Sequence, residues 1–165
     1  MRAYSVSAPF AASFSLRPAL SATLATLFCL VVAVSDGDSL TVRCSAAGPL
    51  ATQRVRIVSI DAPESRQAFG QRSRQHLAAL CLRREAMLHT QGHDSYGRLL
   101  AQVQCGGQDV AAQQVGAGLA WVYAPLAGRY PELTALQRQA RASRTGLWSQ
   151  RRPQAPWDYR RRHPR

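Results

Sequence analysis

LFCLVVAVSDGDSLTVRC, Leu27 to Cys44, joins an apolar half to an alternating half through an Asp-Gly turn. Its first half, Leu27 to Val34, is apolar on both faces and rich in β-branched residues. That pattern predicts a buried strand. Asp36-Gly37 is a hairpin turn signal, because these residues tolerate the backbone twist a tight turn demands. From Leu40 to Cys44 the pattern alternates, with Leu40 and Val42 on one side and Thr41 and Arg43 on the other. The segment therefore reads as a β-hairpin with Asp36 and Asp38 at its tip.

The next segment, RVRIVSIDAPES, runs from Arg54 to Ser65. Val55 to Ile60 reads as a third strand. Pro63 disfavours helical geometry at Ala62 and ends it. From Phe69 to about Leu82 the period lengthens, with Phe69, Ser73, His76, Leu77, Leu80 and Cys81 on one helical face. His76 beside that face reads as a satisfied core residue. Glu85 to His89 and Leu99 to Cys105 form a second strand pair around the turn Gln91 to Gly97. Leu99, Ala101, Val103 and Cys105 point inward. Asp109 is placed to cap a helix from Val110 to about Val115. Leu133, Leu136, Ala140 and Leu147 mark a last amphipathic helix starting near Pro131. Three strands, a helix and a closing strand pair are the order of a five-stranded OB-type barrel. The expected class is α+β, mainly β barrel, with about three helices.

The chain has 165 residues, enough for one domain with tails. Residues 1–22 read as an export leader, 23–150 as the folded domain, and 151–165 as a flexible basic tail. Arg17-Pro18 interrupts the leader, so an uncleaved membrane anchor stays open as the alternative. The run Ala19 to Val34 is short and rich in small polar residues for a membrane span. Four cysteines show no Cys-x-x-Cys or Cys/His pairing of the zinc type. Cys29 and Cys44 lie symmetrically about Asp36-Gly37, and Cys81 and Cys105 about His93. Each pair is thereby expected to face across a hairpin, giving disulfides Cys29–Cys44 and Cys81–Cys105 and an exported, periplasmic or secreted, protein. Four buried thiols in a cytosolic protein are the competing reading.

There are 21 basic residues, all arginine, against 9 acids, for a net charge of +12. Such a field attracts polyanions: nucleic acid first, an anionic membrane surface second. Five of the nine acids fall in three short turn-like stretches, SDGDS, IDAPES and HDSYGR. Asp36, Asp38 and Asp61 fall at strand ends, and carboxylates without histidine or cysteine suit a hard cation. Asp-Gly-Asp alone also makes an ordinary hairpin turn. Arg56 and Arg98 offer forks for phosphate oxygens, although surface arginines are commonly only solvated. Glu64 reads either as a general base or as an acid near a helix N-terminus.

Taken together, these segments resemble the staphylococcal (thermo)nuclease family. The matching stretches are VVAVSDGDSLTV, RVRIVSIDAPES, FGQRS, DSYGRLLAQV, GLAWVY and GLWS, in order from about Cys29 to Ser149. The Arg-x4-Asp-x2-Glu spacing from Arg56 to Glu64, followed by Asp-x-Tyr-Gly-Arg ending at Arg98, is the specific part. The resemblance implies an OB barrel with three helices and Ca²⁺ held by Asp38, Asp61 and the backbone carbonyl of Ala62, with Asp36 supporting. It implies Glu64 as general base or water-positioning group, and Arg56 and Arg98 on the scissile phosphate. Tyr123, Trp121 and Tyr96 would meet the substrate. Ala62 and Ser39 stand where the family often has threonine, and Ser95 where it often has a basic residue. The implied activity is hydrolysis of single-stranded or locally open DNA and RNA to 3′-phosphates, by a monomer. A non-catalytic OB-fold nucleic-acid-binding module and a basic membrane-associated envelope protein are the rival classes. The tail residues Trp157, Tyr159 and Arg160 to Arg162 read as a solvated terminus or a general electrostatic grip.

Overall fold

The computed structural model describes residues 25–45 and 51–164. The expected leader lies outside the described residues. Strands β1 (Thr26–Asp36) and β2 (Ser39–Cys44) form the hairpin, with Cys29 opposite Cys44 and Asp36 opposite Ser39. β2 pairs with β3 (Thr52–Ile57), and β1 pairs on its other edge with β5 (Glu85–His93). β5 pairs with β6 (Leu99–Cys105), and β6 returns to lie parallel to β3, closing a five-stranded barrel. This is the OB-type α+β architecture the sequence predicts. Closure leaves these strands no unpaired sheet edge along the contact. Val31, Val42, Val55, Ile57, Leu88, Ala101 and Val103 fill the barrel interior, each essentially fully buried.

The alternation in β6 is as predicted, with Leu99, Ala101, Val103 and Cys105 inward. β1 departs from expectation. It is not buried on both faces: Phe28 and Leu30 point outward and are 59% and 44% exposed. The expected strand Val55 to Ile60 is also two pieces. β3 ends at Ile57, and the chain turns into the short β4 (Ile60–Asp61), which pairs with β8 (Trp121–Val122). The turn holds because Nη1 of Arg56 donates to the carbonyls of Ile57 and Ile60, at 2.7 and 2.8 Å. A side chain thus satisfies backbone groups that a continuing strand would have paired.

Helix α1 (Gly70–Cys81) packs Ser73, Leu77 and Cys81 inward. β7 (Gln108–Asp109) leads into α2 (Val110–Gly116), and the Asp109 carboxylate caps α2 by accepting from the Ala112 N–H at 2.7 Å. α3 (Pro131–Ala142) stops before Leu147. Leu147 instead sits in a 3₁₀ turn, Gly146–Ser149, that buries it beside Trp148. The chain leaves helical geometry at Arg144, φ +52°, and again at Gly146, φ +57°, where a Cβ would lie 2.3 Å from the Gly118 carbonyl oxygen.

Both expected disulfides are present. Cys29–Cys44 spans the hairpin as predicted. Cys81–Cys105 does not: Ala86 is the strand partner of Cys105, and Cys81 reaches it from the end of α1. The symmetry about His93 gave the right pair for the wrong reason, and this bridge pins helix to barrel. Sequence separations of 15 and 24 residues imply about 3 kcal/mol of stabilisation each in the chain-entropy picture. Reduction with a thiol reagent is therefore expected to lower the thermal midpoint by well over 10 °C, read by circular dichroism. No helix among the described residues is long and apolar enough to cross a membrane.

Candidate active site

The acids expected to act together come from two neighbouring turns at one end of the barrel. The hairpin tip presents Asp36 and Asp38, and the Asp36 carboxylate accepts the Asp38 N–H at 3.1 Å. A Cβ on Gly37, between them, would lie 1.8 Å from Ser73 Oγ of α1. Fully buried Gln114 of α2 donates to the Gly37 carbonyl at 2.6 Å and to the Ser73 carbonyl at 3.1 Å. Its Oε1 lies 2.7 Å from Nδ1 of His76. Two helices thus clamp the turn through a buried polar network, which is costly to leave half-satisfied. Gly37→Ala is expected to lose about 1–3 kcal/mol through overpacking, measured as a fall in denaturation midpoint.

Asp38 is 5% exposed and Asp61 is 1% exposed. The Ala62 N–H donates to Asp38 Oδ2 at 2.6 Å, tying the second turn to the first. Ser39 Oγ donates to the other Asp38 oxygen at 3.0 Å. Arg56 bridges the pair, with Nη1 3.1 Å from Asp38 Oδ2 and Nη2 3.0 Å from Asp61 Oδ1. Burial pushes the Asp38 carboxyl up to about 6, the Arg56 charge opposes this, and the Asp36 charge adds to it. Burial likewise raises Asp61, against the hydrogen bonds from Arg160. In both carboxylates burial, which disfavours the charged form, outweighs the arginines that oppose it.

Glu64 follows on the next turn. Its N–H donates to Gln67 Oε1 at 3.1 Å, and its carbonyl accepts the Gln67 N–H at 2.8 Å. Arg98 comes from the turn before β6. Its Nε donates to Asp94 Oδ2 at 2.7 Å and its N–H to Asp94 Oδ1 at 2.9 Å, so Asp94 aims the guanidinium. These groups open on one cavity of about 1440 Å³, lined by Asp36, Asp38, Arg56, Asp61, Ala62, Glu64, Tyr96, Arg98 and Tyr123, and also by Tyr159, Arg160 and His163. Arg54 also lines it and donates to the Tyr96 carbonyl at 3.2 Å.

Trp121 is not brought to the cavity. Its ring centroid is 4.4 Å from that of Trp148 and 5.5 Å from that of Trp157, and the Arg141 guanidinium lies 5.0 Å from it. Packing against α3 and the C-terminal segment takes up the aromatic face expected for a base. Residues 151–165, expected as a flexible tail, contain helix α4 (Pro156–Arg162), whose Arg160 enters the site. Proline at the first helical position, Asp158 in the first turn and arginines in the last are start and stop signals that could have found it. The arginine run hid them.

Residues 54–150 match the family described as Staphylococcal nuclease homologue. The chain belongs to that family. It is 40% identical over 142 residues to Protein ParB of Escherichia coli, covering 79% of this chain and 77% of that protein. It is 39% identical over 146 residues to the micrococcal nuclease of Shigella flexneri, 79% of each. An uncharacterized endonuclease of Haemophilus influenzae is 38% identical over 133 residues, 81% of this chain and 72% of its own. As a member of the staphylococcal nuclease family, this chain is a phosphodiester-hydrolysing nuclease.

The donor chemistry of the site suits a hard cation. Asp38 and Asp61 offer buried oxygens only, and the Ala62 carbonyl belongs to a residue of the same cavity. Among the described residues no group of three or more His, Cys, Asp or Glu side chains converges on one point. A cation here would draw on backbone and water oxygens to complete its shell.

Proposed function

We propose that this nuclease cleaves DNA and RNA in a Ca²⁺-dependent reaction that leaves 3′-phosphates, acting on single-stranded or locally open substrate as a monomer. The observation that carries the reading is the convergence of Asp38, Asp61, Glu64, Arg56 and Arg98 on one cavity. Asp38, Asp61 and the Ala62 carbonyl would hold Ca²⁺, with Asp36 fixing the turn beneath. Bound there, the ion would offset negative charge on the phosphate.

The residues supply the rest. Arg98, aimed by Asp94, places a planar fork toward the phosphoryl oxygens. Arg56 engages Asp38 and Asp61 with both terminal nitrogens, so its Nε–H and second Nη2 hydrogen are the donors left for phosphate. Glu64 accepts the proton of the attacking water. Tyr123 and Tyr96 at the cavity rim would meet a flanking phosphate or base. Two disulfides fit an exported protein, periplasmic or secreted.

The test is incubation of single-stranded DNA and of RNA with the protein under Ca²⁺, Mg²⁺ or chelator, with product ends probed by a 3′-phosphatase. Ca²⁺-specific cleavage giving phosphatase-sensitive ends is the expected result. Retention of nucleic acid without cleavage would instead make the chain a binding module.

A further inference from the structure

The cavity contains a cation the reaction scheme above does not use. Arg160 of α4 donates from Nη2 to Asp61 Oδ2 at 2.7 Å and from Nη1 to Asp61 Oδ1 at 3.1 Å. The same Nη1 donates to Glu64 Oε1 at 2.9 Å. One fork therefore clasps a carboxylate assigned to the metal and bridges to the one assigned to the water. An arginine guanidinium keeps its charge at any working pH.

A carboxylate presents about four lone-pair positions. On Asp61, Arg56 takes one and Arg160 takes two, so about one remains. A divalent cation on that oxygen would sit within a few ångströms of the Arg160 charge. Asp61 is buried while Arg160 is half-exposed, so solvent screens the repulsion only in part. Arg160 and a cation are thus poor neighbours on the same group.

The anchoring of α4 lets one yield. Gln67 Nε2 donates to the Gln154 carbonyl at 2.7 Å, Ala155 and Pro156 are buried, and Trp157 packs on Trp121. None of these contacts involves Arg160, whose own side chain is 45% exposed. The fork can swing toward solvent while the helix stays docked.

We propose that Arg160 competes with the divalent cation for Asp61 and Glu64, so that the C-terminal helix sets the cation affinity of the site. This rests on reading the two turns as a Ca²⁺ site. Arg160 is then an internal placeholder that keeps the acids paired until a cation displaces it.

The experiment is calorimetric titration of full-length wild type, Arg160→Ala and Arg160→Lys with Ca²⁺, without nucleic acid, beside thermal melts with and without Ca²⁺. Arg160→Ala is expected to bind Ca²⁺ at least about ten-fold more tightly, the weight of one charge-assisted hydrogen bond. Its melting point should rise more on adding Ca²⁺ than that of wild type. Arg160→Lys, a charge without the fork, should fall between them. Equal or weaker Ca²⁺ binding by Arg160→Ala, with its fold intact by circular dichroism, would overturn the proposal and make Arg160 a support for the acids. Asp61→Asn is the control for the underlying reading. Ca²⁺ binding that survives Asp61→Asn undiminished, or is absent from every protein, would overturn the cation site itself and the competition with it.

Discussion

Glu64→Gln is expected to lower the rate of phosphodiester cleavage by about 10²–10⁴-fold while Ca²⁺ and oligonucleotide affinity change by only a few-fold. The substitution keeps the size of the side chain and an oxygen that can still accept from Arg160. What it removes is the basic carboxylate that takes a proton from water. The surroundings should survive, because the Glu64 backbone is held independently, N–H to Gln67 Oε1 and carbonyl to Gln67 N–H. Single-turnover cleavage of a labelled single strand, beside filter binding of the same strand, separates rate from affinity. A variant as fast as wild type would remove Glu64 from the chemistry.

Arg98→Ala is expected to lower cleavage by about 10²–10³-fold, the usual weight of one preorganised donor to developing charge. Arg98→Lys should recover only part, since a single ammonium cannot replace a fork held in plane by Asp94. The Arg98 side chain is 28% exposed and bonds chiefly to its own turn, so the barrel should be little affected. Unchanged melting with lost cleavage is the expected pair of results. Full activity in Arg98→Ala would leave the residue as a brace for the Asp94 turn.

Much of this was legible in the sequence because it is local. The Asp-Gly turn between an apolar and an alternating segment is written in consecutive residues, and so are the alternation of β6 and the Asp109 cap. The acid and arginine spacings could be read for the same reason. What escaped was set by packing. Trp121 looked available for a base, yet Trp148, Trp157 and Arg141 enclose it from segments distant in sequence. Gln114 carries no signal of its own. Its importance comes from reaching Gly37 and Ser73, which α1 and β1 bring together. Arg160 was hidden in a basic run, where composition suggests solvation and only the fold shows it crossing 99 residues of chain to Asp61. The Cys81–Cys105 pairing shows the opposite case, a correct expectation whose spatial reason was a helix end and not a hairpin.

On this reading the two acidic turns at the barrel mouth make a Ca²⁺-dependent phosphodiesterase centre. The measurement that tests it most directly is the single-turnover rate on single-stranded DNA as a function of Ca²⁺, with the metal-stripped protein as origin and its fold checked by circular dichroism. The rate is predicted to be negligible in chelator and to rise saturably as Ca²⁺ fills the site. Undiminished cleavage in chelator, or tight retention of DNA with no cleavage at any Ca²⁺ concentration, would contradict it.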